Sequence, residues 1–383
     1  MKNFKIVTLG ASGAGKTVFL ASMFKQLSLQ KNNTFKLEVE NPQQRQLLNS
    51  TYMHLLTGDS WPPGTKNITE WTFNCCVQTE ELDNYTACQF TYYDYAGGRL
   101  TDVDEDSDFE KVVKQADVIL GLLDGHKIHA WLTGGSNSLI NTFLTMDLPS
   151  ILKRMQNCTV PVHFVISKWD ILDKNYSLNQ VYTQLCTIPE FAQLLATRSN
   201  VASPVRLIPV SSVGLDFATL QSDGSMKKNP GRIPSPFLVE VPIACVLPDR
   251  LKQLINETQI KQKQLEAQNQ KADTGNNILI DVLIGSLDLL GFGLNSFDLL
   301  LEFADGEEIK AFKFVTKAAS LTNGLLKKGI IGVTDKIGKQ ARNKREQTLN
   351  AVKDEQSALR HAISVFRDFE SELTELFPQS RLV

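Results

Sequence analysis

Eight residues near the start, Gly10-Ala11-Ser12-Gly13-Ala14-Gly15-Lys16-Thr17, fit the spacing G-x-x-x-x-G-K-[ST]. Their flanks fix how they fold. Ile6, Val7, Thr8 and Leu9 make a β-type run before them, and Val18, Phe19, Leu20, Ala21 and Met23 recur at helical spacing after them. A strand, a glycine loop and a helix in that order cradle a polyphosphate. Glycines let successive N–H groups converge on the anion without Cβ clashes, and the new helix points its positive end at it. Lys16 is expected to reach the β and γ phosphates, and Thr17 to offer its hydroxyl to Mg²⁺.

The chain has 383 residues, enough for two or three domains, so this unit accounts for only part of it. Lys and Arg total 40 against 42 Asp and Glu, too balanced for a surface that grips nucleic acid throughout. Six cysteines show neither a zinc-ligand spacing nor a disulfide framework. Met1-Lys2-Asn3-Phe4 leads straight into the first strand rather than into a secretory leader. A cytoplasmic protein with reduced thiols is the expectation.

Three further segments bear on which nucleotide is held. Gln89 to Tyr93 reads as a strand ending in Asp94, and Asp94-Tyr95-Ala96-Gly97 has the form D-x-x-G. An acid there suits Mg²⁺ held through a water, and the Gly97 N–H suits a γ-phosphate, although an ordinary strand-to-loop turn reads the same way. Val160 to Ile166 is a second apolar strand ending in Ser167-Lys168-Trp169-Asp170, close to [NT]-K-x-D. A carboxylate at Asp170 accepts hydrogen bonds from the N1–H and N2–H₂ edge of guanine, a donor pair that adenine lacks, and Lys168 would lie along the base. Ser167 stands where the pattern has Asn, and its shorter hydroxyl weakens that corner. Finally Arg206 to Val210 leads into Ser211-Ser212-Val213-Gly214, where small residues let a backbone N–H approach the guanine O6.

Four motifs at strand ends, in this order, resemble the Ras-like P-loop GTPases. They lie within residues 10 to 214. The resemblance implies an α/β fold: a P-loop GTPase domain with a mostly parallel sheet flanked by helices, binding GTP or GDP with Mg²⁺ across the carboxyl ends of the strands. Strands are expected near 4 to 9, 71 to 78, 88 to 94, 116 to 123, 160 to 167 and 205 to 211.

The departures are as informative. Between Thr17 and the second expected strand lies an insertion with an extra strand over Thr34 to Glu40, a helix from about Gln43 to Leu56, and the turn Trp61-Pro62-Pro63-Gly64-Thr65. That turn is similar to one in large bacterial Ras-like GTPases, particularly the double-GTPases of conflict-type gene neighbourhoods; it reads equally as a stiff surface turn. A switch threonine is needed here to hold Mg²⁺ and γ-phosphate together, with Thr65 the first choice and Thr69 the second. Gly98 follows D-x-x-G where many relatives have a water-orienting Gln, so slow hydrolysis is expected unless Arg99 or a partner protein compensates. Six acids over Asp102 to Glu110 include a capping box at Ser107 and Glu110, and otherwise suit a solvated face or a basic partner.

The first domain is expected to occupy residues 1–272 and an all-α helical domain 273–383. Ser222 to Pro236 reads as a loop, Phe237 to Val246 as an extended segment or edge strand, and a polar helix starts at Pro248. Residues 278 to 303 are apolar, but Asp281, Asp288, Asp298 and Glu302 disfavour a simple membrane span. Three helices follow, at about 307 to 321, 323 to 340 and 341 to 377. In the last, Val352, Leu359, Phe366 and Leu373 form a seam at intervals of seven, suited to a bundle or to self-association. Seven basic residues between Lys327 and Arg345 suit an anionic membrane surface or an acidic partner. The leading expectation is a GTP-binding and GTP-hydrolysing switch that signals to the helical region or a partner; the alternative is a peripheral, membrane-active GTPase. A third possibility is a scaffold that binds nucleotide for stability and barely hydrolyses it. For the basic stretch, nucleic acid is a remote third choice after anionic lipid and an acidic partner, since stacking aromatics are missing from it.

Overall fold

The computed structural model describes residues 3–28, 35–58, 60–63, 69–79, 84–94, 107–156, 158–267, 349–350 and 352–383. Seven strands form the main sheet: β1 (Asn3–Gly10), β2 (Lys36–Glu38), β3 (Thr69–Gln78), β4 (Asn84–Asp94), β5 (Val118–Asp124), β6 (Val162–Ser167) and β7 (Val205–Pro209). Their order is β2-β3-β4-β1-β5-β6-β7. β4, β1, β5, β6 and β7 pair in parallel, while β3 pairs antiparallel with both β4 and β2. The chain is thus an α/β protein with a mostly parallel sheet flanked by helices.

Side-chain alternation explains the two-faced packing. In β1, Phe4 and Ile6 enter one buried cluster while Val7 and Leu9 enter the other; in β5, Val118, Leu120 and Leu122 part from Ile119 and Leu123 in the same way. The first face is covered by α1 (Lys16–Ser28), α2 (Pro42–Thr57) and helices from the end of the chain. The second is covered by α3 (Ser107–Lys114), α4 (Gly125–Thr133), α6 (Leu148–Gln156), α7 (Leu178–Leu185) and α8 (Pro189–Asn200), with α5 (Asn137–Thr142) beside α4. Between β7 and the last helices a small hairpin forms, β8 (Ala218–Leu220) with β9 (Met226–Lys228). The parallel arrangement brings the ends of β1, β4, β5, β6 and β7 to one edge, where the candidate residues sit.

Several expectations are corrected. The loop expected over Ser222 to Pro236 contains β9. The edge strand expected over Phe237 to Val246 shrinks to a single bridge between Ser211 and Phe237, followed by α9 (Val241–Ala244). Pro242 near the start of a helix costs no hydrogen bond, and Val241, Ile243 and Ala244 are buried there, so burial decides against the β-like composition. The helix expected from Pro248 begins two residues earlier as α10 (Val246–Ala267), and its first turns are not polar: Leu247, Leu251 and Leu254 are buried.

The helix expected over 341 to 377 is interrupted. Asp354 caps a fresh helix, α11 (Glu355–Leu376), with Ser357 completing a capping box. The seam residues Val352, Leu359, Phe366 and Leu373 are all buried, but against the sheet and not in a helical bundle. Phe366 lies edge-on to Phe35 at 5.0 Å between ring centroids and 6.2 Å from Phe90 of β4. A buried ionic cluster fastens the same helices. Arg206 of β7 donates to both oxygens of Asp249 in α10 at 2.5 Å and also to Glu370 of α11, and His163 Nε2 lies 2.7 Å from Asp249. The last residues then add to the sheet edge, with Leu382 N–H donating to Val205 O at 2.9 Å. So α11, expected in a separate domain beyond residue 272, shares one core with β4 and α9. The apolar stretch 278 to 303, the helices at 307 to 321 and 323 to 340, and the basic run Lys327 to Arg345 lie outside the described residues. Among the described residues, no helix is long and apolar enough to cross a membrane.

Candidate functional site

Gly13 and Gly15 adopt φ of +82° and +85°, values that a β-carbon strongly disfavours, and they turn the loop so that α1 starts at Lys16. Phe19 N–H donates to Gly15 O at 2.8 Å, which closes the first turn. Lys16 is buried and folds back over the loop, its Nζ donating to Gly10 O at 2.6 Å and Ala11 O at 3.0 Å. Burial lowers its pKa below the usual lysine value, while the carboxylates of Asp94 and Asp147 act in the opposite direction. The result is a desolvated cation beside an anion-sized cradle.

At the far side, Ser167 ends β6 and its hydroxyl donates to Leu123 O at 3.1 Å. Lys168 takes a left-handed conformation at φ +52°, unusual for a residue with a side chain. That strain is held by Trp169 N–H donating to Val210 O at 3.0 Å and by the Lys168 ammonium on Asp124 Oδ2 at 2.8 Å. Asp124 also caps α4, accepting from His126 N–H at 3.0 Å. Asp170 accepts from the Ser211 hydroxyl at 2.6 Å, and Ser211 Oγ in turn accepts from Gly214 N–H at 2.9 Å. Burial pushes the Asp170 carboxyl above its ordinary value, and the Ser211 hydrogen bond opposes this. The Ser167–Asp170 and Ser211–Gly214 motifs are therefore wired together through one carboxylate.

Gly125 makes this junction possible. A β-carbon there would lie 2.3 Å from Ser167 O and 2.9 Å from Lys168 O, both backbone atoms that cannot swing aside. Gly125→Ala is expected to lower stability by about 1–3 kcal/mol and to loosen the 167–170 loop, read as a fall in the urea midpoint. An unchanged midpoint would mean that the loop is not pressed against α4.

A single cavity of roughly 380 Å³ joins both halves. The phosphate loop enters it through Ser12, Gly13, Gly15, Lys16 and Thr17; Ser167, Lys168, Asp170 and Ser212 line it as well. Gly10, Ala11 and Ala14 complete the loop beneath, and Ser211 reaches the cavity through Asp170. Asp94 ends β4 opposite Thr8 of β1, and Thr69, the second switch candidate, opens β3 opposite Asp94. Thr65, Gly97 and Arg99 lie outside the described residues. The hydroxyl of Thr17 and the buried carboxylate of Asp94 are hard oxygen donors of the kind Mg²⁺ takes, and that ion fills its remaining positions with phosphate and water oxygens. The residues thus fit the ion, although no group of three ligands occurs among the described residues.

Two contributions went unread in the sequence. Asp124 carried a signal, an acid ending an apolar strand just before Gly-His, the N-cap position. Met226 of β9 carried none, because a hairpin far along the chain reaches the cavity only through tertiary packing. Trp61, Pro62, Pro63 and Met226 also line the cavity.

Residues 7–130 match the family model for Double-GTPase 1 (DO-GTPase1). The expected likeness to the double-GTPases is borne out over this stretch, which contains the phosphate loop, the insertion with Trp61, and Asp94. It ends before Ser167. A GTPase domain of this kind implies binding and hydrolysis of GTP. No curated protein matches the chain.

Proposed function

We propose that the chain is a Mg²⁺-dependent guanine-nucleotide switch with slow intrinsic hydrolysis. The observation that supports this reading most is the joint lining of one cavity by the phosphate loop and by Asp170, the carboxylate expected to read the base. A nucleoside triphosphate laid across it would place phosphates on the amides of residues 13 to 17 and the purine edge at Asp170. Lys16 would then leave the carbonyls of Gly10 and Ala11 for the β and γ phosphates, and it would stabilise charge developing on the leaving oxygen. Thr17, Asp94 and a switch threonine, Thr65 before Thr69, are the oxygens that would hold Mg²⁺, which supplies neutralisation of charge between the β and γ phosphates when bound. Lys168, pinned by Asp124, would present its stem to the base plane, and Ser212, which lines the cavity, would offer an N–H to O6.

Reaction is transfer of the γ-phosphoryl group to water, with no covalent enzyme intermediate. The Gly97 N–H would report the γ-phosphate to the segment that follows, and Gly98 supplies no side chain to orient the water. Single-turnover hydrolysis by the isolated chain is expected in the range of about 10⁻⁴ to 10⁻² s⁻¹. Turnover near 1 s⁻¹ without any partner would overturn the slow-switch reading, whereas stimulation by a second protein would support it. Arg99→Ala tests whether that residue contributes: a further fall in rate is expected.

A further inference from the structure

The motifs end at Gly214, yet the cavity does not. Its lining also includes Trp61, Pro62 and Pro63, together with Met226 of the β8–β9 hairpin. Trp61 is fixed in three ways. Its Nε1–H donates to Met226 O at 2.9 Å, its ring stands edge-on to Phe217 at 6.3 Å, and the Lys228 ammonium lies 5.5 Å from its centroid. Lys228 does more than face the ring. Its Nζ donates to Leu55 O at 3.0 Å, to Ser60 O at 3.3 Å and to Gly58 O, so it gathers the last carbonyls of α2 and the chain that leads to Trp61.

We propose that Trp61 contacts the nucleoside part of the bound nucleotide, and that Lys228 is the positioning residue that clamps the Trp61 turn onto the β8–β9 hairpin. The two ends of the cavity differ in surface chemistry. The phosphate end of the cavity is amide and ammonium, and the 167–170 end is carboxylate and hydroxyl. A purine and ribose also present flat, weakly polar faces, and the apolar wall of Trp61, Pro62 and Met226 is the part of this cavity suited to cover them. Trp61 offers a ring already locked in place, so little freedom is lost on binding. Lys228 is held away from the ligand by the carbonyls of Leu55, Gly58 and Ser60; it acts through the tryptophan. This inference rests on the cavity being a guanine-nucleotide site.

The test uses the full chain, with GDP and Mg²⁺ titrated calorimetrically and tryptophan emission followed in parallel. Trp61→Ala is expected to weaken GDP by about 10- to 100-fold, the scale of one lost aromatic–base contact, and to weaken ATP by a similar factor, since the wall does not read the base edge. Trp61→Phe is expected to stay within about threefold of wild type, but to lose the GDP-induced change in emission that the wild type shows. Lys228→Met is expected to weaken GDP about fivefold and Lys228→Arg to restore it, a rescue that follows from keeping the cationic clasp. If Trp61→Ala keeps its helical spectrum and binds GDP as the wild type does, the proposal is wrong while the guanine-nucleotide reading stands. Should Trp61→Ala fail to fold, a wild-type emission change in Trp61→Phe overturns the proposal instead. If the wild type binds no guanine nucleotide, the reading of the cavity fails first and this inference falls with it.

Discussion

Lys16→Ala is expected to weaken GTP, GDP and ATP together, by about 10²- to 10³-fold, when binding is measured by calorimetry at fixed Mg²⁺ and salt. The size follows from what the ammonium does in the folded chain. It is buried, and burial alone drives its pKa down, so the cation is held in a place where it lacks water. The carbonyls of Gly10 and Ala11 occupy it meanwhile. Phosphate oxygens would exchange those neutral partners for charged ones, and each charge-assisted bond contributes about 1.5–3 kcal/mol. Because the phosphates are common to all three nucleotides, the base has no part in the loss. The substitution also strands two loop carbonyls, so a fall in stability of about 1–3 kcal/mol accompanies it. Lys16→Met keeps the stem and separates the two effects: nucleotide loss of the same size with less change in unfolding supports the phosphate role. Affinity within threefold of wild type would remove Lys16 from the site.

Asp170→Ala is expected to show the opposite selectivity. It should leave ATP binding nearly as it was and collapse the preference for GTP over ATP by about 10²- to 10⁴-fold, since two hydrogen bonds to an ionised acceptor would disappear. The environment is prepared for that role. Asp170 is half-buried beside Ser211, and the Ser211 hydroxyl already spends its own acceptor on Gly214 N–H, so it donates to the carboxylate. Burial raises the Asp170 pKa. The sign for pH follows: the guanine edge needs the ionised carboxylate, so GDP affinity is full well above that raised value and falls as pH drops through it. ATP affinity does not follow the same curve. A GDP profile that is flat down to the acid limit of folding would contradict the assignment.

The sheet and the nucleotide residues were legible because both are local. Period-two burial in β1 and β5 follows directly from alternating side chains, and each expected strand that carries a motif is present within a few residues of its expected bounds. The phosphate loop and the Ser167 to Asp170 turn announce themselves by residue type, since few other residues tolerate φ of +82° or present a carboxylate after a buried strand. What stayed hidden depends on distant partners. The spacing of Val352, Leu359, Phe366 and Leu373 shows that α11 has an apolar stripe but not that a sheet receives it. Arg206, His163, Asp249 and Glu370 come from four separate segments, and no local pattern joins them. The segment 237 to 246 misleads for the same reason: its valines and isoleucine favour a strand in isolation, yet packing beside α11 makes a helix of Val241–Ala244. Met226 reaches the cavity by way of a hairpin that composition marks only as a turn.

The central claim is that the carboxylate of Asp170 identifies the purine while residues 13 to 17 hold its phosphates. Asp170→Asn tests it by reversal rather than by loss. Guanine presents N2–H₂ where xanthine presents a carbonyl oxygen, and an amide can donate to that oxygen where a carboxylate cannot. Competition between GTP and XTP for the Asp170→Asn protein is therefore expected to favour XTP, whereas the wild type favours GTP. Retention of the wild-type preference for GTP in the Asp170→Asn protein would contradict the account.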